Sequence, residues 1–80
     1  MKYTAPLDTI GSFGLALQQA RLAQGKSQSD IARELGIAQS AISEMESGHG
    51  TLYLRRLLDM AHALGLQLSA SWEDLDAPRS

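Results

Sequence analysis

Residues 27–48 read SQSDIARELGIAQSAISEMESG, and this stretch decides the fold. It reads as two short helices joined by a tight turn. Gly36 stands where the first of them must stop and reverse, a place that favours a left-handed backbone. Ile31, Ala32 and Leu35 give that helix an inward stripe, and Ile42 and Met45 do the same for the next one. Gln39, Ser40, Ser43 and Glu44 project from the opposite side. A short helix with its polar side chains gathered at an exposed N-terminal turn has the form that entry into a DNA major groove requires.

Working outward, Ser12 is expected to cap a preceding helix that runs to about Gln24, with Phe13, Ala16, Leu17 and Ala20 on its inner side. Ser27 caps the second helix, and the third runs from about Gln39 to Glu46. After the Gly48-His49-Gly50 turn, a fourth helix spans about Leu54 to Leu64. Leu54, Leu57, Leu58, Ala61 and Leu64 give it a continuous inward face. Past Gly65 the period falls to two. Leu66, Leu68, Ala70 and Trp72 alternate with Gln67, Ser69 and Ser71, which marks a half-buried strand. Residues 1–10 contain Pro6, show no period and read as an arm. With no other strand candidate, the simplest partner for the C-terminal strand is the same strand of a second copy. The expected division is an arm at 1–10, a helical domain at 11–65, a dimerising strand at 66–72 and an acidic flexible tail at 73–80.

Eighty residues make one small domain, which buries only about 60% of its unfolded surface, so a dimer is attractive from the start. The absence of cysteine excludes disulfides and thiolate zinc sites. No apolar run approaches the roughly 20 residues of a membrane span, and a cytoplasmic protein is expected. The net charge of −2 runs against nucleic-acid binding, where phosphate neutralisation supplies much of the affinity. Its distribution weakens that objection. Glu73, Asp74 and Asp76 carry the excess, offset only by Arg79. Over residues 1–72, Lys2, Arg21, Lys26, Arg33, Arg55 and Arg56 balance Asp8, Asp30, Glu34, Glu44, Glu46 and Asp59.

The series Ser27-Gln28, Ala32, Gly36, Ile42-Ser43 and Glu46-Ser47-Gly48 resembles the Cro/C1-type (Xre) helix-turn-helix family, over roughly residues 13–66. The resemblance implies an all-α, lambda-repressor-like bundle of four to five helices, here followed by a short C-terminal β-strand that pairs across a dimer. The closing Leu64-Gly65-Leu66-Gln67-Leu68 and the strand after it are similar to the HipB-like branch. Its members are antitoxins that repress their own operon and bind a HipA-like kinase toxin.

Gln39 can donate and accept together, matching N7 and N6 of adenine; the bland alternative is a solvated helix start. Ser40 and Ser43 could touch bases or phosphates, or lie plainly on the surface. Ala38 could cushion a thymine methyl or serve only the turn. Glu44 is expected in solvent. Lys26, Ser27, Gln28 and Ser29 surround a helix N-terminus that suits a phosphate oxygen, with Ser27 a cap first. The resemblance implies that Gln28 clamps phosphate and braces the first residue of the third helix. It also implies an internal ion pair between Arg21 and Glu46. His49 offers a loop contact to the backbone, Arg55 and Arg56 a phosphate or an acidic partner surface. Leu66, Leu68, Ala70 and Trp72 are the expected dimer contacts, with Tyr3 the other aromatic that a monomer core does not explain.

Three functions remain open on the sequence. One is a dimeric repressor that is also the antitoxin of a kinase, on operator half-sites roughly 10 bp apart. The second is a stand-alone Xre or phage-type regulator. The third is a protein-interaction module that no longer reads DNA. An enzyme is not expected: His49 and His62 lie in different elements, and no thiol, metal-ligand spacing or phosphate-binding glycine loop is present. No cofactor is implied.

Overall fold

The computed structural model describes residues 1–74. Strand β1 (Lys2–Pro6) leads into helices α1 (Ile10–Ala23), α2 (Gln28–Leu35), α3 (Gln39–Glu46) and α4 (Leu52–Ala63), and strand β2 (Ser69–Glu73) follows. The helices have local causes. Thr9, not Ser12, caps α1: its hydroxyl accepts from the Ser12 amide at 2.9 Å while Ser12 Oγ accepts from the Thr9 amide at 2.9 Å. Ser27 and Asp30 form the same reciprocal pair on α2. Thr51 caps α4, which starts two residues before the expected Leu54. At the far end of α2, Gly36 takes φ 68°, and the Ile37 amide donates to the Ala32 carbonyl at 3.0 Å. That Schellman closure turns the chain into α3 within the Gly36–Ala38 turn. The same six-residue hydrogen bond closes α1, α3 and α4, through the amides of Lys26, His49 and Leu66.

The N-terminal stretch read as an arm is a strand. β1 pairs antiparallel with β2 in the register Lys2↔Glu73, Tyr3↔Trp72, Thr4↔Ser71, Ala5↔Ala70 and Pro6↔Ser69. Pro6, which has no amide to give, ends the ladder, where strands tolerate it. Tyr3 and Trp72 stack with ring centroids 5.9 Å apart, and the Tyr3 hydroxyl donates to Asp74 at 2.7 Å. Each aromatic therefore has a partner inside one chain. The described residues form four helices and a two-stranded sheet rather than an all-α bundle with one lone strand. β2 also starts later than expected. Leu66 and Leu68 lie in the connector, and only Ala70 and Trp72 sit on the half-buried face of the sheet. Of the expected tail, Glu73 ends β2 and Asp74 bonds Tyr3; residues 75–80 lie outside the described residues.

α1 is the centre of the packing, touching both strands, α3 and α4. Its contact with α3 is close enough to require glycine. A Cβ on Gly14 would fall 2.5 Å from the Met45 carbonyl oxygen and 2.7 Å from that of Glu46. The buried apolar side chains are few: Ala16, Ala32, Ile42 and Leu58. The Cα radius of gyration is 13.9 Å, against about 12 Å for a compact chain of this length, and the extents are 40 × 34 × 16 Å. The protein is a thin slab. Leu17, Leu35 and Met45, expected inside, are largely exposed along an open apolar groove of about 300 Å³ between α1, α2 and α3. The inner stripe of α4 is likewise incomplete: Leu58 is buried, but Leu57 and Leu64 face out.

Candidate nucleic-acid interface

The geometry around α3 follows from two buried residues. Ala32 of α2 and Ile42 of α3 are 6% and 4% exposed, and they pin the two helices together across the Gly36 turn. With Ile42 inward, helical spacing sends Gln39, Ser40, Ser43 and Glu44 outward, and all four are exposed. Ala38 begins α3 with extended backbone (φ −71°, ψ 146°) and makes no side-chain cap. The first amides of α3 are therefore left for an outside acceptor, on an end where the helix dipole favours negative charge.

Behind this face lies one charged network. Arg21 of α1 grips Glu46 of α3 with both prongs, Nε to Oε2 at 2.6 Å and Nη2 to Oε1 at 2.9 Å. Their side chains are only 11% and 5% exposed. Arg21 Nη1 also donates to the Lys26 carbonyl at 2.8 Å, which ties in the α1–α2 turn. The Arg21 guanidinium holds the Glu46 carboxyl below the usual glutamate range, and the carboxylate in turn raises Arg21. The expected ion pair is present and structural.

Gln28 is placed differently from its expected role. Its Nε2 donates to Glu46 Oε1 at 3.1 Å, so the amide faces the interior network and does not brace α3. The brace comes from the next residue: Ser29 Oγ donates to Gln39 Oε1 at 2.8 Å. Lys26 is engaged too, with Nζ 2.9 Å from Glu34 Oε1. Ser27 and Asp30 cap one another, and the Ser27 amide and hydroxyl keep the Asp30 carboxyl below its ordinary range. Arg33, 3.1 Å from Asp30, stays mostly in solvent. Lys26, Ser27, Gln28 and Ser29 thus cluster at the start of α2 as expected, but each already holds a partner within the chain. A phosphate there must compete with those bonds. His49 is exposed on the loop after α3, its amide donating to the Glu44 carbonyl at 3.0 Å. Arg55 and Arg56 are exposed early in α4 and form no ion pair among the described residues.

The expected dimer residues do not share one surface. Ala70 and Trp72 pack against β1 and α1, whereas Leu66 and Leu68 line a groove of about 680 Å³ with Pro6, Leu7, Leu58 and Ala61. The partners Glu34 and Asp30 were missed in the sequence, although Lys26 and Glu34 lie two turns apart on paper and the Ser27–Asp30 spacing is that of a capping box. The Ser29–Gln39 bond has no sequence signature, because it depends on how the turn folds.

A family model described as helix-turn-helix matches residues 17–70, which spans all of α2 and α3, most of α1, and α4. No curated relative and no solved structure matches the chain. The matched segment is the one whose exposed α3 face and buried Ala32–Ile42 contact are described above. The chain belongs to the helix-turn-helix family of the Cro/C1 type, whose members are sequence-specific DNA-binding regulators of transcription.

Proposed function

We propose that this protein is a dimeric transcriptional repressor of the HipB-like branch, an antitoxin that binds operator DNA and a HipA-like kinase toxin. The observation that carries the DNA-binding part is the uncapped N-terminus of α3, with Gln39, Ser40 and Ser43 exposed around it and Ile42 anchoring the helix from behind. Gln39 reads a base edge, Ser40 and Ser43 contact bases or phosphates, and Ala38 lies against a thymine methyl. Phosphates are held by Lys26, Ser27, Ser29 and Gln28 at the start of α2 and by His49 on the other side of α3. Bound at a promoter in the cytoplasm, the dimer excludes polymerase. No chemistry and no cofactor is needed.

The dimer reading draws support from the thin slab. Tyr53, Leu57, Met60 and Leu64 recur at helical spacing along α4 and are exposed, and Leu66 and Leu68 continue that apolar surface. β2 has one edge paired with β1 and its other edge free among the described residues. A second copy that covers α4 and adds to that edge buries both. The antitoxin reading draws on the resemblance of the α4–β2 junction to the HipB-like branch, and the presence of a strand after α4 agrees with it. The runner-up is a stand-alone Xre or phage-type regulator, which shares everything except the toxin.

A mobility shift with DNA from upstream of the protein's own reading frame tests the first part. Retardation by the wild type and loss of preference in Gln39→Ala support it; no shift on any such duplex removes it. Co-purification with the product of the adjacent reading frame separates antitoxin from stand-alone regulator.

A further inference from the structure

We propose that Ser29 is a specificity-determining positioning residue: it holds the Gln39 amide in the orientation that reads adenine. The inference rests on the reading of α3 as the helix that enters the major groove. Gln39 is exposed, and a free glutamine amide there turns about three side-chain bonds and can present either its oxygen or its nitrogen. Freezing it at a base edge has an entropic cost, and the wrong orientation puts an oxygen against N7. Ser29 removes that freedom in advance. It is the second residue of α2, fixed by the Ser27–Asp30 capping box on either side of it. Its hydroxyl donates to Gln39 Oε1 at 2.8 Å.

One lone pair of Oε1 is thereby used and one remains. Nε2, turned away from α2, keeps both of its protons. The remaining lone pair can accept from adenine N6, and Nε2 can donate to N7, which is the bidentate pattern that distinguishes adenine in the major groove. Gln28, the neighbouring residue with the longer reach, is not available for this task because its Nε2 is spent on Glu46. The single hydroxyl proton of Ser29 also cannot serve both Gln39 and a phosphate. Its position between the two helices makes those alternatives exclusive, and so makes them testable.

The experiment is a set of binding titrations with the full chain on the upstream duplex it retards and on duplexes substituted one base pair at a time across a half-site. Wild type, Ser29→Ala, Ser29→Thr, Gln39→Ala and the Ser29→Ala/Gln39→Ala pair are compared, with circular dichroism as a fold check. Ser29→Ala is expected to reduce discrimination roughly three- to tenfold at the same base pair as Gln39→Ala, about the net worth of one hydrogen bond. It should add nothing in the Gln39→Ala background, and Ser29→Thr, which keeps the hydroxyl, should retain discrimination. A Ser29→Ala variant that weakens every duplex equally, and additively with Gln39→Ala, would show a phosphate contact and overturn the proposal. Unchanged discrimination in Ser29→Ala overturns it as well. If Gln39→Ala itself leaves every preference intact, Gln39 is no reader, and the underlying reading fails along with the proposal.

Discussion

Gln39 is the residue on which direct readout depends. It stands first on α3, exposed, behind an N-cap that makes no side-chain bond. Gln39→Ala is expected to lose about 1–3 kcal/mol of discrimination at one base pair per half-site and to leave thermal stability unchanged. Competition binding against substituted duplexes measures the first and a melting curve the second. Arg21 and Glu46 should behave in the opposite way. Removing either alone strands a nearly buried charge, so Arg21→Met should destabilise the fold on the order of 3 kcal/mol, read by urea unfolding. The same pair sets an acid limb. Glu46 is held below its ordinary value by Arg21 first and by Gln28 as well. Its contribution to stability is therefore complete above the unfolded glutamate pKa of about 4.3 and is lost as pH falls below it, towards the depressed folded value. Glu46→Gln should be less stable than wild type at neutral pH and lose less on acidification to about pH 3. A wild type and Glu46→Gln with parallel acid limbs would show that the bridge is not what acid breaks.

Among the elements, the tightest constraint is the crossing of α1 over the end of α3. Gly14→Ala would push a methyl into two carbonyl oxygens, and a cost of about 1–3 kcal/mol in unfolding experiments is expected. α4 gives the contrary case, an element with more apolar surface than the monomer can use. Leu57 and Met60 are 48% and 63% exposed, so charging both should barely change the stability of a monomer. In a dimer that uses α4, Leu57→Glu/Met60→Glu should instead give a folded, monomeric chain in sedimentation equilibrium. If that variant remains dimeric and deletion from residue 69 onward does not, the free edge of β2 is the interface and α4 is not. What the sequence disclosed follows the same line. The α2–turn–α3 unit was legible because Gly36, Ala32 and Ile42 act on neighbours within one or two turns. β1 was not, because its reason to exist lies at Ser69–Glu73, and Pro6 disguises a five-residue strand whose Tyr3 and Ala5 do alternate inward. Thr9 and Ser12 are both good caps, and residue preference alone does not rank two members of the same capping box.

For the whole molecule, shape and charge decide how it meets DNA. A slab 16 Å thick with four well-buried side chains is a poor monomer, and a second copy supplies the missing layer. Balanced charge over residues 1–72, with Lys26 and Arg21 already paired, leaves few cations to displace counterions. The salt dependence of operator binding should be correspondingly shallow; a log–log slope near −10, as for strongly cationic repressors, would contradict this. The central claim is that two exposed α3 faces are presented to one duplex by a two-fold pair. Its most direct measurement is selection of bound sequences from a pool of random duplexes by the full-length chain. The expected product is an inverted repeat with half-site centres roughly 10 bp apart, carrying an adenine–thymine pair that Gln39→Ala no longer selects. Recovery of an unenriched pool, or of a single asymmetric site unaffected by that substitution, would contradict it.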